Sequence, residues 1–349
     1  MRPKIISLGY SVPDQAVTQE EIFATLKYPK PFWKLYRDSG IEKRHFWVPL
    51  SRIRRLSFQE QQEEYFKGAV ELSKRAVLSC LDGKSPANVG CLVYCSCTGF
   101  APGPTVGHFL SKELGLFSDT FHTNIASQGC ESGFPGLKRA FDFTSTTKKP
   151  SLVVCCELAS CSYFPEPDGK PDPENHYELL RGATVFADAA AAALVGWDSD
   201  PRHPEIVDFE THVEPEYLPY LGYVWREGRL RLLLAPEVPE LAPKVVTPAL
   251  ERLLHRNNLA VEDIDWWVIH AAGAPVLENI QRAIGLPEEK MALSWETLRR
   301  FGNCSSVTVG LSAKLLMEEH EPKPGDTVVS AGVGPGMTGS VCLLRFPKG

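Results

Sequence analysis

Short, unbroken apolar runs recur along the chain: "CLVYCSC", "SLVVCCEL", "AAAAALVGW", "WWVIHAAG", "TVVSAGVG" and "SVCLLRF". A strand with one wet face alternates apolar and polar residues. These runs do not alternate, so they predict strands covered on both faces. Between them lie segments with apolar residues at helical spacing, the longest being "SFQEQQEEYFKGAVELSKRAVLSCL". Buried strands separated by helices define an α/β protein. "KIISLGYSVP" reads as the opening strand and the last two runs as a closing hairpin. In "ESGFPGLKRAFDF", Pro135 is expected within the first turn of a helix, where its missing N–H costs nothing.

The order of events repeats. In each half a helix leads to a buried strand, a turn with a reactive residue, a second helix and another buried strand. A pseudo-duplicated architecture follows, with the boundary near Gly196 to Pro204: an N-terminal half over 1–198 and a C-terminal half over 199–349. Ser160 to Glu178, rich in proline and charge, reads as a loop and a candidate lid or interface segment.

Composition narrows the function. Among 349 residues, 37 basic against 43 acidic side chains give a net charge of −6, which supplies no basic face for nucleic acid. No apolar run approaches the roughly 18 residues of a membrane span, and the opening residues lack a signal-peptide core. The expectation is a cytoplasmic protein without nucleic-acid or membrane partners. The 10 cysteines are read as reduced, because a chain of this length needs no staples. "CLVYCSC" has no second ligand pair at zinc-site spacing, so no metal is expected. Nine cysteines are taken as buried filler and one as reactive.

That one is Cys130, in "NIASQGCESGFPGLKRAF", at a strand-to-helix transition. A sulfur there faces unpaired N–H groups and the positive end of a helix, which favours thiolate. His270 ends the apolar strand of "DIDWWVIHAAG", and strand ends are where α/β proteins place reacting groups. Asn303, in "RRFGNCSSVTVGLSAKLL", can cap the following helix or donate into a cavity. Together, in the order Cys, His, Asn, they suit acyl transfer: a thiolate takes an acyl group from a thioester, and the other two stabilise the enolate or oxyanion that develops.

"SGIEKRHF", "QGCESGFPGLKRA", "LVVCCEL" with "TVFADAAAAALVG", "VIHAAGAPVLENIQRAIGL", "FGNCSSVTVGLSAKLL" and "GVGPGMTGSV" resemble, from end to end, the thiolase-superfamily condensing enzymes grouped as ketoacyl synthase III and chalcone-synthase-like type III polyketide synthases. The resemblance implies a thiolase-like, five-layer αβαβα fold and a homodimer. It implies an acyltransferase, a ketosynthase that joins an acyl group on Cys130 to a malonyl- or β-ketoacyl thioester. Transfer to an alcohol or amine is the alternative on the same fold. His270 and Asn303 match the pair that activates the extender. Phe186 matches a gate between entry tunnel and acyl cavity, with Leu232 where a second aromatic usually stands. Gly334, Pro335 and Gly336 match a cavity-shaping turn. Lys34 matches one of the cations that grip coenzyme A, while Asp38 replaces another, so both coenzyme A and acyl carrier protein thioesters are candidate substrates. No further cofactor is implied. The family's "FGDG" is here Phe186-Ala187-Asp188-Ala189.

Overall fold

The computed structural model describes residues 2–99, 103–166, 177–226 and 229–348. The strands that matter are β1 (Lys4–Ser11), β2 (Cys91–Ser96), β3 (Phe121–Ala126), β4 (Ser151–Leu158), β5 (Asp188–Gly196), β6 (Glu205–Val213), β7 (Leu221–Arg226), β8 (Arg229–Leu234), β9 (Trp266–Ile269), β10 (Thr327–Gly334) and β11 (Thr338–Arg345). The principal helices are α1 (Phe58–Leu81), α2 (Gly133–Thr147), α3 (Tyr177–Val185), α4 (Val238–Arg256), α5 (Ala274–Ile284) and α6 (Thr308–Glu319).

Nine strands form one sheet in the order β9-β10-β11-β6-β1-β5-β4-β2-β3. Its two halves are joined between β6 and β1 by a single residue pair, Lys4 with Glu205. Strands β2, β4, β10 and β5 are buried nearly throughout, as their unbroken apolar sequences require. Helix α1 begins at a capping box, with Ser57 and Glu60 each satisfying the other's backbone N–H, and covers β1, β4 and β5. Helices α4 and α5 cover the C-terminal half of the sheet. Between the sheet halves lie α2 and α6, sharing a core that includes Val153, Ala191, Leu311 and Cys342. The layers run helix, sheet, helix, sheet, helix, the thiolase-like arrangement.

One expectation changes: Ser160 to Glu178 is not wholly loop, since Ala159–Ser162 is one helical turn and α3 starts at Tyr177, with 167–176 outside the described residues. Helix α4 carries two prolines within its length, Pro243 and Pro248. Among the described residues, no helix is long and apolar enough to cross a membrane.

Candidate active site

Cys130 sits on the 3-10 turn Gly129–Glu131 that joins β3 to α2. Gly129 has φ +64°, and a Cβ there would lie 2.2 Å from Pro335 Cδ. Only glycine meets both demands. Gly334 closes the other side: a Cβ on it would come within 2.5 Å of Glu131 Cγ and 2.8 Å of the Gln128 carbonyl. The Gly334-Pro335-Gly336 turn of the C-terminal half is thus keyed into the nucleophile turn of the N-terminal half.

Hydrogen bonds link Cys130 through Ser305 and Asn303 to the turn after His270. Ser305 Oγ lies 3.3 Å from Cys130 Sγ, and its N–H donates to Asn303 Oδ1 at 2.8 Å. Asn303 Nδ2 donates to the carbonyl of Ala272, two residues beyond His270, at 2.9 Å. Asn303 caps neither the 3-10 turn nor α6, whose cap positions are Cys304 and Val307; its oxygen organises the turn before α6, and of its two amide hydrogens the Ala272 carbonyl engages one. Its backbone is fixed as well: Asn303 N donates to the Val185 carbonyl, and Ala187 N donates to the Asn303 carbonyl. The buried Arg44 holds that same segment by donating to the Phe186 carbonyl at 2.8 Å.

His270 follows β9, with its N–H bonded to the Ala331 carbonyl. Its ring is 3% exposed, and neither ring nitrogen has a hydrogen-bond partner among the described residues. Burial lowers its pKa from 6.5 to about 4, so the imidazole is neutral near pH 7 and can act as a base or a neutral donor.

The sequence predicts an easily formed thiolate at Cys130, and the structure corrects this. Burial pushes the Cys130 thiol up to about 12; the Ser305 hydrogen bond opposes the shift, while Glu157 and Glu131 add to it. The helix end is outweighed by desolvation and two carboxyl groups. At neutral pH the resting Cys130 is a protonated thiol.

Glu157 was not foreseen. It is fully buried at the end of β4, accepting from Cys97 N at 3.0 Å, Thr98 Oγ1 at 2.8 Å and the Ser306 hydroxyl. Its signal was one acid inside the apolar run "LVVCCEL". Ser305 was hidden among neighbouring small residues, although its φ of +51° is unusual for a non-glycine residue. Cys97 moves out of the filler group: its Sγ lies 3.2 Å from Glu157 Oε1 and 3.3 Å from Ser305 Oγ. Cys304, beside Asn303, is buried and bonds the Phe301 carbonyl instead. All 10 cysteines are free.

Phe186 and Leu232 are buried and converge on Gly182, whose missing Cβ would lie 3.5 Å from Phe186 Cδ2 and 3.1 Å from Leu232 Cδ2. Two tyrosines absent from the sequence expectations complete this wall. Tyr223 pairs with Leu232 across the β7–β8 hairpin, and its hydroxyl lies 2.8 Å from that of Tyr163. Tyr163 packs edge-on against Phe186 with centroids 4.7 Å apart. Lys34 is exposed on the short helix Trp33–Arg37, which packs against α3. Asp38 is paired to Arg37 at 2.7 Å.

Comparison with known proteins assigns the class, that of the condensing acyltransferases. Residues 50–201 match the N-terminal domain of chalcone and stilbene synthases, and residues 254–346 match the C-terminal part of 3-oxoacyl-[acyl-carrier-protein] synthase III. A putative chalcone synthase of Bacillus subtilis is 24% identical, covering 99% of both chains. The 3,5-dihydroxyphenylacetyl-CoA synthase of Streptomyces toyocaensis is 24% identical over 99% of this chain and 90% of its own. The crystal structure of PKS-I from the brown alga Ectocarpus siliculosus superimposes with a TM-score of 0.87 at 25% identity, over 99% of this chain and 98% of the other. The chain belongs to the thiolase-superfamily condensing enzymes, in the group of ketoacyl synthase III and chalcone-synthase-like type III polyketide synthases.

Proposed function

We propose that this enzyme loads an acyl group from a coenzyme A thioester onto Cys130 and condenses it with a malonyl-type thioester in polyketide formation. In loading, the Cys130 sulfur attacks the thioester carbonyl as its proton passes to neutral His270. A new S–C bond forms, the bond to the coenzyme A sulfur breaks, and the departing thiolate takes the proton. In condensation, loss of carbon dioxide from the extender leaves an enolate whose oxygen accepts hydrogen bonds from His270 and the free Asn303 amide hydrogen. Its carbon attacks the acyl carbonyl, releasing Cys130.

The observation that carries this reading is the linked path from Cys130 through Ser305 and Asn303 to the turn after a neutral, unpartnered His270. The relative named for a coenzyme A product supports that donor, and an acyl carrier protein donor is the competing outcome. Side-by-side loading from the two donors, read by intact-protein mass spectrometry, separates them. Cys130→Ala should show no adduct. His270→Ala should block carbon–carbon bond formation, and a normal product yield from it would overturn the roles assigned here. We also propose a homodimer formed through β3. This edge strand is exposed along its length, and Phe121 and Phe117 are 61% and 56% exposed. An unpaired edge with large apolar neighbours suits a second copy of the chain, and light scattering tests it.

A further inference from the structure

The last carbonyls of a helix have no donor within the helix and must find one elsewhere. Where α3 ends, the carbonyls of Thr184, Val185 and Phe186 are each taken by a group from a distant part of the chain. Gln19 Nε2 donates to the Thr184 carbonyl at 2.9 Å, and Arg44 Nη1 to that of Phe186 at 2.8 Å. The carbonyl between them, that of Val185, accepts from Asn303 N at 2.9 Å, while Ala187 N donates to the Asn303 carbonyl at 3.0 Å. Arg44 Nη2 closes the frame by donating to Gln19 Oε1 at 2.8 Å. Asn303 is thus attached to a backbone segment that two side chains fix on either side of the attachment.

Arg44 also meets Asn303 through its neighbour. Gly302 has φ +73°, and a Cβ on it would lie 2.8 Å from Arg44 Cγ, so the arginine stem packs directly on the residue before Asn303. The guanidinium lies over the rings of Phe46 and Tyr36, with Cζ 5.2 Å and 5.9 Å from their centres. Arg44 is fully buried, and the two hydrogen bonds described end on neutral oxygens. Burial lowers its pKa to about 10, which leaves it charged near neutral pH. A buried charge satisfied by neutral oxygens costs more than an apolar side chain of equal volume. What the guanidinium supplies, and a lysine does not, is a rigid fork that spans two acceptors at once.

We infer that Arg44 and Gln19 are positioning residues for Asn303, setting the direction of the amide hydrogen that meets the extender's enolate. Their hydrogen bonds run to backbone carbonyls, to Ser39 and to each other, so they act through the chain on both sides of Phe186. The inference rests on the role proposed for Asn303 in condensation. Its consequence is a division between the half-reactions. Acyl transfer draws on Cys130 and His270, whereas decarboxylation of the extender also draws on the Asn303 amide, so disturbing the frame should slow the second and spare the first.

The test compares Arg44→Lys and Gln19→Met with wild type, as full chains, in two single-turnover assays. One is acetyl transfer from acetyl-coenzyme A to Cys130, read by intact mass; the other is release of carbon dioxide from carboxyl-labelled malonyl-coenzyme A. Acetyl loading should stay within about twofold of wild type while decarboxylation falls about tenfold or more, the loss expected when a hydrogen bond to a developing anion is misdirected. In an Asn303→Ala background the same substitutions should add little, because the group they aim is gone. Unchanged decarboxylation, equal losses in both half-reactions, or full additivity with Asn303→Ala would overturn the inference. If thermal unfolding shows that Arg44→Lys does not fold, Gln19→Met decides, since it keeps the arginine and frees the Thr184 side of the frame. Normal decarboxylation by Asn303→Ala refutes instead the functional reading beneath.

Discussion

His270 should make this protein lose stability in mild acid, to an extent that follows from its surroundings. Burial lowers its pKa from 6.5 to about 4. Between those values the unfolded chain binds a proton that the folded chain refuses, so stability rises with pH. The contribution is fully present above pH 6.5 and is lost as pH falls through the folded value. A shift of this size corresponds to about 3 kcal/mol in total, of which about 2 kcal/mol is already gone at pH 5. Other groups titrate over the same range, Asp188 among them, raised to about 6 by burial. The informative quantity is therefore the difference between wild type and His270→Gln. Urea unfolding of both at pH 7 and pH 5 should show the wild type losing about 2 kcal/mol more than the variant. Equal losses would mean that His270 is solvated or partnered in the folded protein. The neutral imidazole on which the proposed proton transfer depends would then lack its physical cause.

Three further outcomes are expected. Ser305→Ala removes the hydroxyl beside Cys130 and should slow acyl loading by about tenfold or more, the worth of a hydrogen bond to a developing thiolate; stopped-flow thioester exchange measures it. Glu157 helps to hold the Cys130 thiol up, so Glu157→Gln should speed iodoacetamide alkylation of Cys130 at pH 8, and an unchanged rate would remove the carboxylate from the cause. Gly129→Ala forces a side chain into a left-handed position 2.2 Å from Pro335 Cδ; it should cost roughly 1–3 kcal/mol in thermal unfolding and abolish loading, whereas normal loading would show that the two turns are not keyed together.

The buried strands and their covering helices were legible because an unbroken apolar run admits few fates. Cys130 and His270 were legible because each stands where a strand yields to a turn, and Asn303 because it follows a helix-ending glycine, Gly302. The partners of these residues were not. Ser305 and Glu157 are 148 positions apart in sequence yet meet at 3.4 Å, and no local pattern announces such a meeting. The direction of the Cys130 shift was misread for a related reason: helix position is a local property, whereas desolvation and the charges of Glu157 and Glu131 depend on the packed whole. Tyr163 escaped notice because the hairpin that brings Tyr223 to it lies 60 positions away.

The keyed turns at Gly129 and Pro335 make acylation of Cys130 a gauge of assembly. Each half contributes one side of the joint, and Ser305, which touches the nucleophile, arrives from the C-terminal half. An N-terminal fragment could fold its strands and still present Cys130 on an unbraced turn, without His270 or Asn303. Such a fragment would lack every group that the proposed chemistry draws from the second half.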